Sequence, residues 1–172
     1  MSMERTTVDR HETALEVDRS LRFGSLLMAL AGIAFVGYGA AFLALAFVGS
    51  GFELGVATLN GITSAELNAI DPAIMYYITH LHVATAAFII STGIAVTALA
   101  WYGVRRGLRW AWATAVAAAV VGLALALPMH YTADAFAHDW VTHLGPIYLA
   151  TIVFVVGAAL AFKGLGSTVR RE

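Results

Sequence analysis

The chain has 172 residues, 60% hydrophobic and 12% charged, with a formal net charge of -1 and no cysteine. That apolar content exceeds what an ordinary soluble domain carries and points to a bilayer as solvent. The missing cysteines exclude disulfides, thiolate metal sites, thiol redox catalysis and covalent haem attachment, and nothing in the charge pattern suggests nucleic acid as a partner.

Residues 1–20 form a charged segment, with Glu12 and Glu16 four apart and Arg19 following, expected as a solvated surface helix or tail. The first apolar run, residues 26–48, exceeds the core of about 7 to 15 residues that a cleaved leader carries, so it reads as a retained span. A glycine-punctuated segment follows. In it, Thr63-Ser64-Ala65-Glu66 has the form of a capping box. Asp71-Pro72 reads as an N-cap with proline at the first helical position, so the second helix starts well before its apolar run, residues 83–101. This extension carries Tyr76, His80 and His82. The short turn at residues 102–109 makes the second and third helices antiparallel neighbours. The remaining runs are residues 110–127 and 145–162, and residues 165–172 form a tail.

None of the four runs contains Asp, Glu, Lys or Arg, and each approaches or exceeds the roughly 20 residues that a helix needs to cross the hydrocarbon. Backbone groups in lipid must be satisfied internally, so the runs are helices. The expected fold is an all-α, integral-membrane four-helix bundle, one transmembrane domain over residues 21–164, with a longer outer loop between the first two helices.

Topology follows from charge. All ten basic residues fall on one side of these spans, and five of the six histidines fall on the other. The positive-inside rule therefore places both termini in the cytoplasm of a multi-pass cell-membrane protein, with residues 49–81 and 128–144 outside.

Two short matches suggest a duplication. Arg19-Ser20-Leu21-Arg22-Phe23 parallels Arg106-Gly107-Leu108-Arg109-Trp110, and Tyr77-Ile78-Thr79-His80-Leu81 parallels Trp140-Val141-Thr142-His143-Leu144. Two parallel two-helix repeats would set His80 opposite His143. Ala118 with Gly122, and Gly157 with Ala161, are expected to allow close helix contacts.

Chemistry concentrates on the outer histidines. His80 and His82 point in nearly opposite directions on a helix, so only one can face the bundle. In the other outer segment His130 and Asp134, Asp134 and His138, and Asp139 and His143 are each four apart, a spacing at which imidazole and carboxylate can share an ion or hold a ring tautomer. One expectation is haem b held by two imidazoles from His80, His82, His130 and His143. Another is zinc or copper held among His80, His130, Asp134, His138, Asp139 and His143. The competing expectation is that these histidines only cap helices at the headgroup boundary.

Signatures of catalysis are missing. There is no H-E-x-x-H, G-x-S-x-G or phosphate-binding glycine loop, so an enzyme is not expected. Coupled transport is disfavoured because no span carries an ionisable carboxylate or amine. The stretches His80-Leu81-His82-Val83-Ala84 and Trp101-Tyr102-Gly103-Val104-Arg105-Arg106-Gly107-Leu108-Arg109-Trp110-Ala111-Trp112 resemble those of small four-span membrane proteins of archaea and bacteria. That resemblance implies a fold and transfers no activity. The expected role is a non-catalytic accessory or assembly component of a membrane complex, partnered by lipid and by another membrane protein or a second copy. The alternatives are a haem- or metal-binding protein in electron transfer or ion handling, and an oligomeric transporter or channel for small solutes.

Overall fold

The computed structural model describes residues 2–132 and 138–168, with side chains described for 19–131 and 138–166. Six α-helices follow in order: α1 Ser2–Leu45, α2 Ser64–Ile70, α3 Pro72–Ala98, α4 Arg109–Thr132, α5 Trp140–His143 and α6 Gly145–Thr168. Four segments are long and apolar enough to cross a membrane: Arg19–Leu45, Pro72–Arg106, Arg109–Tyr131 and Gly145–Gly166. The chain is an all-α, multi-pass membrane protein.

Local chemistry explains the element boundaries. The Thr63 hydroxyl accepts from the Glu66 backbone N-H while the Glu66 carboxylate accepts from the Thr63 N-H at 2.8 Å, which starts α2. Asp71 caps α3 by accepting from the Ala73 N-H at 2.9 Å, with Pro72 following it. Beyond Ala98 the same rod continues through a π-helical turn, Leu99–Gly103, and a 3-10 turn, Val104–Arg106. It stops at Gly107, whose φ of 81° suits a residue without a Cβ. α4 runs through Pro128 to Thr132, past the end of its apolar run, so His130 stands on the helix's last turn. Proline lacks the N-H for its own rung there, yet the helical segment continues for four residues beyond it.

α1 is the centre of the bundle and packs lengthwise against both α3 and α6. Glycines allow both approaches. A Cβ on Gly157 would stand 2.8 Å from the Gly24 carbonyl oxygen, and one on Gly93 would stand 2.7 Å from that of Gly32. In lipid, such backbone proximity supplies the van der Waals contact that holds helices together. Ala161 belongs to the Gly24 contact, as its spacing from Gly157 suggests. Ala118 and Gly122 line a cavity instead, and nothing lies within 4 Å of a Cβ built on Gly122.

α4 is attached mainly at its two ends. Near its start, Arg109 donates to the Leu165 carbonyl at 3.2 Å and Trp112 to the Ala158 carbonyl at 3.0 Å. Near its finish, the Tyr131 and Tyr148 hydroxyls hydrogen-bond. Between these ties the helix stands away from α3 and α6 over an apolar cavity of about 360 Å³. The two expected hairpins therefore differ in packing: α1 and α3 are in contact along their length, whereas α4 and α6 meet mainly near their ends. The dry core, including Met28, Ala100, Val104, Ala111 and Ala161, lies toward the basic end, and the cavity lies toward the histidines.

Candidate metal centre

Three segments converge at the histidine end. The first is the loop between α1 and α2, which carries Glu53 on a tight turn. The Val56 N-H donates to the Glu53 carbonyl at 3.0 Å, and the Ser50 hydroxyl donates to the Val56 carbonyl at 3.1 Å. Buried Phe52 and Val56 anchor this turn. Gly55, at φ 79°, lies so close to α5 that a Cβ there would be 2.7 Å from the Thr142 hydroxyl. Its carbonyl accepts from the Asp139 N-H at 2.9 Å. The loop thus presses onto α5 through backbone, which side-chain periodicity does not encode.

α5 is the second segment. Its N-cap is Asp139, whose carboxylate accepts from the Val141 N-H at 2.9 Å and the Thr142 N-H at 3.4 Å. The turn that follows buries His143 to 1% exposure. The third segment is the last turn of α4 with His130.

The contacts among these groups define the site. His130 Nε2 and His143 Nε2 are 2.9 Å apart. His143 Nδ1 lies 2.6 Å from the Leu54 carbonyl oxygen, and His130 Nδ1 lies 3.0 Å from that of Ala126. Glu53 Oε2 is 3.4 Å from His143 Nε2, and one donor atom from each of Glu53, His130 and His143 falls within a 4.8 Å group. The other carboxylate oxygen, Oε1, is 4.0 Å from His82 Nε2. His138 packs its ring against His143 at 5.0 Å and against His130 at 5.8 Å between centroids.

Proton counting shows what this arrangement lacks. A carbonyl only accepts, so each Nδ1 contact calls for an N-H on the ring. The Nε2 pair then confronts two lone pairs. Moving the His130 proton to Nε2 mends that contact and breaks the one to Ala126. The chain of contacts needs one proton more than two neutral imidazoles hold, a deficit that either one added proton or a metal ion at the Nε2 pair would supply. Burial lowers the pKa of His143; the Leu54 carbonyl and the Glu53 carboxylate oppose that shift, while His130 and His138 reinforce it. A neutral imidazole beside a carboxylate could serve as a metal ligand, and a backbone carbonyl on Nδ1-H is the usual outer partner of such a ligand.

Two of the three donor separations suit one shared ion. At metal–ligand bonds of about 2.0 to 2.1 Å, the 2.9 Å Nε2 separation subtends roughly 90° and the 3.4 Å nitrogen–oxygen separation roughly 110°. Both lie within ordinary coordination angles. Haem does not suit the pair, because a flat macrocycle cannot pass between two nitrogens 2.9 Å apart.

The residues singled out from sequence divide as follows. His130 and His143 form the core of the group, His138 sets its ring against it at a tilt, and His82 approaches it through Glu53. His80 is exposed on α3 and lies outside the group, so the expected pairing of His80 with His143 is replaced by one between His130 and His143. Asp139 is turned to its capping role. Asp134 lies outside the described residues. Glu53 is the member of the group that the histidine spacing did not indicate. The cue was available in Gly51-Phe52-Glu53-Leu54-Gly55, where a carboxylate sits between two large apolar residues and two glycines in a segment without Lys or Arg.

The cavity extends from this site into the membrane region. Its walls include Phe35, Tyr38, Phe88, Leu123 and Ile147, and His130 borders it. A passage for polar solutes needs polar walls, and this lining offers few. Comparison with family models, curated proteins and solved structures finds no match.

Proposed function

We propose that this membrane protein binds a divalent transition-metal ion, zinc or copper, through His130, His143 and Glu53. The observation that carries this reading is the 2.9 Å approach of two imidazole nitrogens whose partner nitrogens are both committed to carbonyls. Two imidazoles and one carboxylate form a donor set that leaves coordination positions open. His82 acts on the far side of Glu53 as a positioning residue. Its Nδ1 is buried without a hydrogen-bond partner among the described residues.

Binding would join the Glu53 loop, α5 and the last turn of α4 through one ion, an ion-handling role at the membrane surface. The charge asymmetry supports an orientation with the histidine end outside and both termini in the cytoplasm. A passive assembly component has no need of such a donor set.

The test is equilibrium metal binding by the full chain, purified in detergent and stripped with chelator. Wild type and His80→Ala should each bind one zinc ion per chain, and His130→Ala/His143→Ala should bind none at the same concentrations. Equal binding by the double variant and wild type would remove the proposal.

A further inference from the structure

The opposite end of the bundle holds a second pocket, of about 710 Å³, independent of the histidines. Four cations line it from three parts of the chain: Arg19 and Arg22 from α1, Arg105 from the turn before α4, and Lys163 from α6. Among the described residues, no carboxylate belongs to the lining. The other wall is apolar, with Phe23, Leu26 and Leu160 facing the membrane region. The Arg105 guanidinium stacks over the Trp101 ring at 4.5 Å, which keeps its charge at the pocket while the indole remains at the boundary.

A polyanion from the cytoplasm has no use for the apolar half, and a neutral lipid has none for the cationic half. We infer that this pocket binds an anionic phospholipid, its phosphate among Arg19, Arg105 and Lys163 and an acyl chain along Phe23, Leu26 and Leu160. Basic pockets between spans at a cytoplasmic boundary recognise headgroups in this way. The site lies where α1, the α3–α4 turn and α6 meet, so an occupied pocket ties together the three segments of the packed half.

The experiment uses the delipidated full chain in detergent, titrated at constant ionic strength with phosphatidylglycerol, phosphatidylcholine or inorganic phosphate. Bound lipid is read by native mass spectrometry and stabilisation by thermal unfolding. Phosphatidylglycerol should bind at least about tenfold more tightly than phosphatidylcholine, because the second is net neutral. Arg105→Gln/Lys163→Gln should weaken the anionic lipid by about thirtyfold, at roughly one charge's worth of surface attraction per residue. Arg105→Lys/Lys163→Arg should retain it. Equal binding of the two lipids overturns the inference, as does full binding by the charge-neutral variant. Inorganic phosphate matching the anionic lipid would reassign the pocket to a soluble phosphate compound and equally overturn it. If the neutral variant does not fold, the two-lipid comparison on wild type decides the matter.

Discussion

His130 Nε2 and His143 Nε2 face each other at 2.9 Å while each ring's Nδ1 lies against a backbone carbonyl. A shared cation at the Nε2 pair would leave both Nδ1-H groups free to keep their carbonyls.

Removal of single ligands should be graded. Because loss of an outer partner typically lowers metal affinity about 10- to 100-fold, His143→Ala and Glu53→Gln should reach or exceed the upper figure, and His82→Ala should fall within that range. Calorimetric titration with zinc measures the series. A Glu53→Gln variant with wild-type affinity would remove the carboxylate from the donor set.

Asp139 provides a control for cap against ligand. Asp139→Ala should destabilise by about 0.5 to 2 kcal/mol through loss of the cap, whereas Asp139→Ser keeps a capping oxygen and should restore stability with zinc affinity unchanged. Thermal unfolding and metal titration together give the answer, and lowered affinity in the serine variant would instead make Asp139 a ligand.

The acid response has a definite sign. Burial holds the folded pKa of His143 below its ordinary value, so the folded state takes up its proton later than the unfolded state as pH falls. Stability of the metal-free protein should be level above about pH 6.5 and decline below it, as the unfolded imidazole protonates first. Zinc affinity should fall over the same interval, since ion and proton compete for Nε2. Unfolding midpoints between pH 5 and 8, with and without His143→Ala, test this; a variant that keeps the full decline would assign it elsewhere.

Zinc should also stabilise the fold by mass action. At a free concentration one hundred times its dissociation constant, the gain is about 2.7 kcal/mol if unfolded chain does not bind. No shift in the unfolding temperature under those conditions would contradict the site.

Helix packing offers a contrast between two glycines. Gly24→Ala brings a methyl group against the backbone of Ala161 and should cost roughly 1 to 3 kcal/mol, as overpacking does. Gly122→Ala meets open space and should gain up to about 1 kcal/mol in helix propensity. Reversible unfolding in mixed micelles distinguishes the two, and equal effects would refute the α1–α6 contact.

The spans were legible because charge-free apolar runs in lipid have one solution, and the starts of α2 and α3 were legible because Thr63, Glu66, Asp71 and Pro72 act on neighbouring backbone. The site was legible only in its imidazoles. A four-residue spacing places side chains on one face only inside a helix, and α5 begins at Trp140, so Asp139 lies before it as a cap. Glu53 reaches His143 because the Leu54 and Gly55 carbonyls hydrogen-bond to a segment far along the chain. Such contacts leave no periodic trace. The choice between His80 and His82 likewise depended on which side α1 occupies.

The lengths of two rods bear on the depth of this centre. At about 1.5 Å per residue, His82 lies about 36 Å along its helix from Arg106, and His130 about 32 Å from Arg109. A typical hydrocarbon slab is about 30 Å thick, so guanidinium groups anchored at one surface hold the donor atoms just beyond the other. A thicker bilayer draws the Glu53 carboxylate toward oil, and a thinner one lifts it into water. Under the proposed reading, metal affinity would therefore vary with the thickness of the surrounding membrane.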